Sequence, residues 1–214
     1  MTTMTIGSDR PNPAGETPHI YCPALHGLST RLADAAFLMP RIDQNRHVKE
    51  ADGHGHWAAC IAADPFGSNA AYFARLLANG YSGVVNWPSS ILLEGQTRQE
   101  FSTIPATPAT EYAYLAKACD AGLRTRAFFL TPEQATEANS AGLKDLILHP
   151  GILLDVDDAG SEMILRALSS IVVTVKAQSP NVTVMIYTSD WHEELLQLSR
   201  LDCDGFVTLT GTQA

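Results

Sequence analysis

The sequence predicts an α/β protein with its strands arranged as a shortened (β/α)8 barrel. Three observations carry that expectation. Short apolar runs alternate with amphipathic segments along the 214 residues, as repeated strand–helix units with right-handed crossovers do. Most of the runs are continuously apolar, the pattern of parallel strands covered on both faces. No glycine-rich G-x-G-x-x-G follows the first run, which removes the best signal for an open dinucleotide-binding sheet.

The strand candidates are "HIYCPA" (19–24), "WAACIAA" (57–63), "SGVVNW" (82–87), "LRTRAFFL" (123–130), "LKDLILH" (143–149), "VTVMIYT" (182–188) and "DGFVTLT" (204–210). An eighth, "AAFLMP" (35–40), has weak length and flanks. The second strand and the final helix are therefore expected to be weak or missing, since the sequence stops at "TLTGTQA". The polar, Gly- and Pro-containing residues 1–18 read as a flexible N-terminal lead-in, and 19–214 as a single domain.

Helix ends support the alternation. Ser68 can cap "NAAYFARLLANG", with Phe73, Leu76 and Leu77 on one face and Gly80 as the stop. Thr131-Pro132-Glu133-Gln134 combines an N-cap, a first-turn proline and a capping-box glutamine. Ile164, Leu168, Ile171, Val172 and Val175 recur at helical spacing, and Asp190 can cap "WHEELLQLSR".

Composition narrows the partners. Charged residues make up 17% and the formal charge is −9, which argues against nucleic acid, because phosphate contacts need clustered cations. No apolar run approaches the roughly 20 residues of a membrane span, and the opening lacks the apolar centre of a signal peptide. Cys22, Cys60, Cys119 and Cys203 form no C-x-x-C pair. Four reduced thiols in a cytoplasmic protein are the expectation, with no cofactor or metal cluster predicted and a single divalent metal left open.

"GLSTRLA" (27–33), "ADPF" (63–66), "GVVNWPSSILLEGQTRQEF" (83–101) and "LILHPG" (146–151) resemble the phosphoenolpyruvate hydrolase-like family of TIM barrels. That family includes the barrel of a plant virus-resistance protein and is also described as a TIM-barrel signal-transduction family. The resemblance covers roughly residues 24 to 210. It is most specific around the fourth strand, where Gly83, Val84, Asn86, Pro88, Glu94, Gly95 and Arg98 match the family's pattern. It implies a TIM-barrel-like fold and a site at the strand ends. The departures are a compressed segment at 34–56, Tyr187-Thr188-Ser189-Asp190 where the family has His-Gly-Gly-Pro, and no Gly-x-Ser-Ser run near the end. Loops after strands seven and eight are the usual phosphate cradle of such barrels, so a tight phosphate site is not expected there.

Functional groups of a TIM barrel sit at the C-terminal ends of its strands, and that rule selects the candidates. Asp64 stands where a general base or metal ligand would, at an Asp-Pro the resemblance implies is kept; the alternative is a turn cap. Asn86 could donate to a carbonyl or enolate oxygen, or stabilise its Asn-x-Pro turn. Arg98 could grip a substrate carboxylate, or pair with Glu94. His149 is the acid/base candidate because its unperturbed pKa lies near neutrality. Phe129 and Thr188 are expected to open on the same face as substrate-binding groups, and Asp155 to reach the mouth. Asp190 reads as a cap, and His54 and His56 as a solvated turn at the bottom of the barrel. No lysine ends a strand, which leaves a Schiff-base aldolase without its nucleophile.

The expected function is a small-molecule enzyme making or breaking a bond next to a carbonyl, as a lyase, hydrolase or isomerase. Asp64 and His149 would move protons, Asn86 would polarise an oxygen and Arg98 would orient an acid group. The alternative is a non-catalytic barrel that binds a ligand or a protein. An apolar flank beside strands one, two and eight, with one alternating set of "GFVTLTG", which carries Val207 and Leu209, facing out, predicts a homodimer or larger homo-oligomer.

Overall fold

The computed structural model describes residues 2–37, 42–64, 69–104, 106–153 and 156–210. Eight parallel strands close into a barrel in chain order: β1 (Thr2–Gly7), β2 (His19–Tyr21), β3 (Trp57–Cys60), β4 (Gly83–Asn86), β5 (Arg124–Phe129), β6 (Asp145–Leu148), β7 (Thr183–Thr188) and β8 (Gly205–Leu209). Around them lie α1 (Gln44–Glu50), α2 (Asn69–Ala78), α3 (Gly95–Phe101), α4 (Pro108–Asp120), α5 (Pro132–Ser140), α6 (Asp158–Gln178) and α7 (Asp190–Leu196).

The first strand corrects the expected lead-in. Residues Thr2–Gly7 pair with β2 from Thr5↔His19 to Gly7↔Tyr21 and with β8 from Thr2↔Gly205 to Ile6↔Leu209. The physical basis is period-2 alternation: Met4 and Ile6 enter the barrel interior, while the alternating Thr3 and Thr5 face out. Close approach needs glycine on both sides of this seam. A Cβ at Gly205 would overlap the Thr2 carbonyl oxygen, and one at Gly7 the Thr210 carbonyl oxygen. The "HIYCPA" run is thus the second strand and not the first, and the described part of the expected strand at 35–40, residues 35–37, is helical. Thr30–Phe37 forms a 3-10 helix, and 38–40 lie outside the described residues.

The β1–β2 connection has no helix. It runs back along the outside of the barrel, where His19 Nε2 meets the Asp9 carbonyl at 3.1 Å and His56 Nε2 meets the Asn12 carbonyl at 2.9 Å. His56 Nδ1 also accepts from the His19 amide. His56 is therefore a buried anchor and not part of a solvated turn.

The strands separate two apolar layers. Inward positions such as Trp57, Val85, Phe128, Ile147, Met185 and Val207 fill the barrel interior. Outward positions such as Val84, Ala127, Phe129, Leu146, Leu148 and Ile186 pack against the helices. Val207 and Leu209 belong to the inner layer, so the outer side of β8 presents half-buried Phe206 and Thr208. With Thr3 and Thr5 beside them, the outward side of this seam carries one half-buried aromatic ring among hydroxyls in place of the expected outward Val207 and Leu209. Ser189, not Asp190, caps α7, its hydroxyl accepting from the His192 amide. The proposed Ser68 cap lies outside the described residues. No helix among them is long and apolar enough to cross a membrane.

Candidate functional site at the barrel mouth

Strand parity decides which residues reach the mouth. Ile147 faces in, so His149, two residues on, also faces in. His149 is fully buried. Its Nδ1 accepts the Gly151 backbone N–H at 3.0 Å, and its Nε2 lies 3.0 Å from Asp34 Oδ1. A backbone N–H can only donate, so Nδ1 is unprotonated, the ring proton sits on Nε2, and Asp34 accepts it.

Asp34 arrives on the Thr30–Phe37 helix, which crosses the mouth and is pinned a second time where the Arg31 guanidinium lies 3.7 Å over the Trp191 ring of α7. Stacked against the His149 ring are Trp87 at 5.1 Å and Tyr187 at 4.8 Å, each tilted by 18°. His192 stands edge-on at 6.3 Å. Burial first, and then the neighbouring His149, lowers the His192 pKa to about 4.

The other expected site residues end at the same rim but turn elsewhere. Asn86 faces out. Its amide nitrogen donates to Glu111 Oε2 at 2.7 Å and to the Ser89 hydroxyl at 3.2 Å, and its oxygen accepts from the Phe128 amide at 2.7 Å. Glu111 Oε1 accepts the Ser90 amide at 2.7 Å, and Oε2 the Ser89 hydroxyl. Burial pushes the Glu111 carboxyl up, while the hydrogen bonds from Ser89, Ser90 and Asn86 pull it back. This clamp fixes the loop that carries Trp87, whose peptide bond to Pro88 is cis. The Asn86 amide is thus committed to the scaffold and does not face the mouth.

Phe129 is buried in the outer layer against the helices, and Thr188 donates to Glu193 of α7 at 3.2 Å. Neither opens into the barrel. Asp64 accepts from Asn45 at 3.3 Å and lines an outer cleft of about 150 Å³ with Asn69, Thr110, Tyr114 and Lys117. It is therefore not brought to His149. Glu94 and Arg98 are exposed at the start of α3 and within it, with no ion pair between them. Asp155 lies outside the described residues. Among the described residues, no group of three or more His, Cys, Asp or Glu could hold a metal ion.

Of the expected site residues, His149 is the one the structure turns inward at the mouth, and the sequence did not single out its neighbours Asp34, Tyr187, His192 and Trp87. Period-2 alternation sets Trp87 with Val85 and Tyr187 with Met185 once the inward positions are known from the structure. Nothing local marks Asp34.

An eight-stranded parallel barrel with a buried His–carboxylate pair at the C-terminal ends of its strands belongs to the TIM-barrel class. Residues 49–207 match the model of the family described as phosphoenolpyruvate hydrolase-like, and the chain belongs to that family. Among solved structures, a protein of Burkholderia cenocepacia J2315 provisionally named a phosphonomutase superposes with a TM-score of 0.50 at 14% identity. The match covers 96% of this chain and 85% of that one. A second protein of the same organism, provisionally named a lyase/mutase, gives 0.51 at 13% identity, covering 99% and 78%. At such identities the likeness concerns the fold. No curated protein matches.

Proposed function

We propose that the protein is a small-molecule enzyme of lyase or mutase type that makes or breaks a bond next to a carbonyl, with Asp34 and His149 as its acid/base centre. The observation that carries this reading is the 3.0 Å contact between Asp34 Oδ1 and His149 Nε2 inside an otherwise apolar and aromatic barrel end. A buried carboxylate held by a neutral imidazole N–H is oriented and available to take a proton. In the simplest step the Asp34 carboxylate removes a proton from the carbon beside the carbonyl. The C–H electron pair forms a C=C bond as the carbonyl π electrons move to oxygen, giving an enolate that then expels or accepts a group. Family membership and the names of the two structural neighbours agree with such chemistry. Glu94 at the N-cap of α3 and Arg98 within that helix are exposed and would meet the outer part of a substrate.

The second reading is a non-catalytic ligand-binding barrel. Its supporting observation is that both His149 ring nitrogens are engaged, by Gly151 and by Asp34. Turnover assays on a panel of aldehydes, ketones and keto acids separate the two. Product formation that disappears in Asp34→Asn and His149→Gln supports catalysis, whereas ligands that raise the melting temperature without any chemical change favour binding alone.

A further inference from the structure

Two polar atoms beside His149 have no hydrogen-bond partner among the described residues: the Trp87 indole Nε1 and the Tyr187 hydroxyl. Both side chains are fully buried, and both belong to the inward-facing layer of the barrel. Folded proteins keep few such groups, because leaving a buried donor unpaired is costly. These two lie together, their ring centroids 5.5 Å apart and each stacked on the His149 ring.

Both atoms present a proton. An indole N–H can only donate. Burial first, and then the neighbouring Asp34 and Cys22, hold the Tyr187 phenol well above its usual range, so it stays protonated. The other polar groups are the Asp34 carboxylate and His192, whose pKa, lowered to about 4 chiefly by burial, leaves it uncharged near neutrality. His149 does not neutralise the carboxylate, because the Gly151 amide holds the ring in its uncharged tautomer. No lysine or arginine is among the groups bonded to or stacked on His149, and the Arg31 guanidinium lies at the rim over Trp191. Such a centre offers two donors to an oxygen and one uncompensated negative charge to everything else. An anion entering it would lose its water and meet a like charge in a low-dielectric surround.

We propose that Trp87 Nε1–H and Tyr187 O–H form the oxygen-binding pair of this site, and that its ligand is a small uncharged carbonyl compound, with keto acids and phosphate esters rejected by the Asp34 carboxylate. This deepens the acid/base reading and rests on it only for setting the carbonyl beside Asp34. The same two donors would hold the oxygen as charge develops on it.

Pyruvamide and pyruvate share one skeleton and differ in charge, which makes them the probes. The full chain is titrated with each, and with phosphoenolpyruvate, by tryptophan fluorescence and thermal shift. Pyruvamide is expected to bind at least tenfold tighter than pyruvate, and phosphoenolpyruvate not to compete. Tyr187→Phe is expected to weaken pyruvamide about five- to tenfold while leaving the unliganded melting temperature the same or higher, since it removes an unpaired hydroxyl. Asp34→Asn is expected to narrow the gap between the two probes. Pyruvate binding as tightly as pyruvamide, absent pyruvamide binding, a Tyr187→Phe protein destabilised without ligand, or selectivity that survives Asp34→Asn would each overturn the proposal. Selectivity without turnover of any carbonyl compound would retire the catalytic reading alone, and turnover without selectivity would retire this one alone.

Discussion

Asp34 Oδ1 and His149 Nε2 lie 3.0 Å apart across 115 residues of sequence, so the centre exists only when the helix over the mouth is seated on the sixth strand. An Asn at position 34 keeps an oxygen for the His149 N–H but cannot take a proton. Asp34→Asn is therefore expected to change stability by less than about 1 kcal/mol and to lower turnover by about 10²–10⁴-fold. Urea unfolding and steady-state kinetics on the same preparation check both halves. A protein that unfolds markedly more easily would mean the pair is structural.

Glu111 is expected to matter for stability and, through Trp87, for ligand binding. Three donors, from Asn86, Ser89 and Ser90, converge on its two oxygens. Glu111→Gln replaces one of those oxygens with an NH2 that faces donors. The expected loss is about 2–4 kcal/mol, or roughly 5–15 °C in melting temperature for a chain of this size. Differential scanning calorimetry reads it directly.

Acid destabilisation has a definite source in His192. Its folded pKa of about 4, set chiefly by burial, lies below the ordinary histidine value of 6.5, so the unfolded chain binds a proton that the folded protein refuses. Stability is complete above the higher value and is lost as pH falls from about 6.5 towards 4, by up to about 3 kcal/mol. His19, also lowered by burial, adds to the slope in the same direction. Chemical denaturation at pH 7.0 and 4.5 should show His192→Asn losing less on acidification than the parent protein.

Phosphate binding at the end of β7 is expected to be weak. The Thr188 hydroxyl is directed to Glu193, and the Ser189 hydroxyl is committed to His192 and the helix cap. A helix start can hold an anion loosely, so inorganic phosphate should bind no tighter than about millimolar. Micromolar phosphoenolpyruvate affinity that is lost on changing residues 188–190 would contradict this.

How much of this could be read in advance depended on local pattern. Strands β3 to β8 announced themselves as apolar runs between capped helices, because burial on both faces leaves little else. "TTMTIG" did not, since its outward threonines and the polar residues after it masked the two inward side chains. The same double-sided burial hid strand parity: in "GVVNW" the run alone does not say whether Asn86 or Trp87 faces in. Asn86, Phe129 and Thr188 were therefore placed at the correct end of the barrel but on the wrong side of its wall. His149 was legible as a candidate because it is a histidine directly after the "LKDLIL" run, at a strand's C-terminal end. Asp34 was not, because its role comes from a long-range contact made by a loop helix.

The central claim is that the Asp34–His149 centre moves a proton at the carbon next to a carbonyl. Proton NMR of pyruvamide in D2O with the full chain measures that transfer without knowledge of the natural substrate. The account predicts enzyme-dependent loss of the methyl proton signal, slowed at least about 100-fold by Asp34→Asn in a protein that remains folded and still binds pyruvamide. Methyl protons that do not exchange while pyruvamide is bound, or that exchange equally fast with Asp34→Asn, would contradict it.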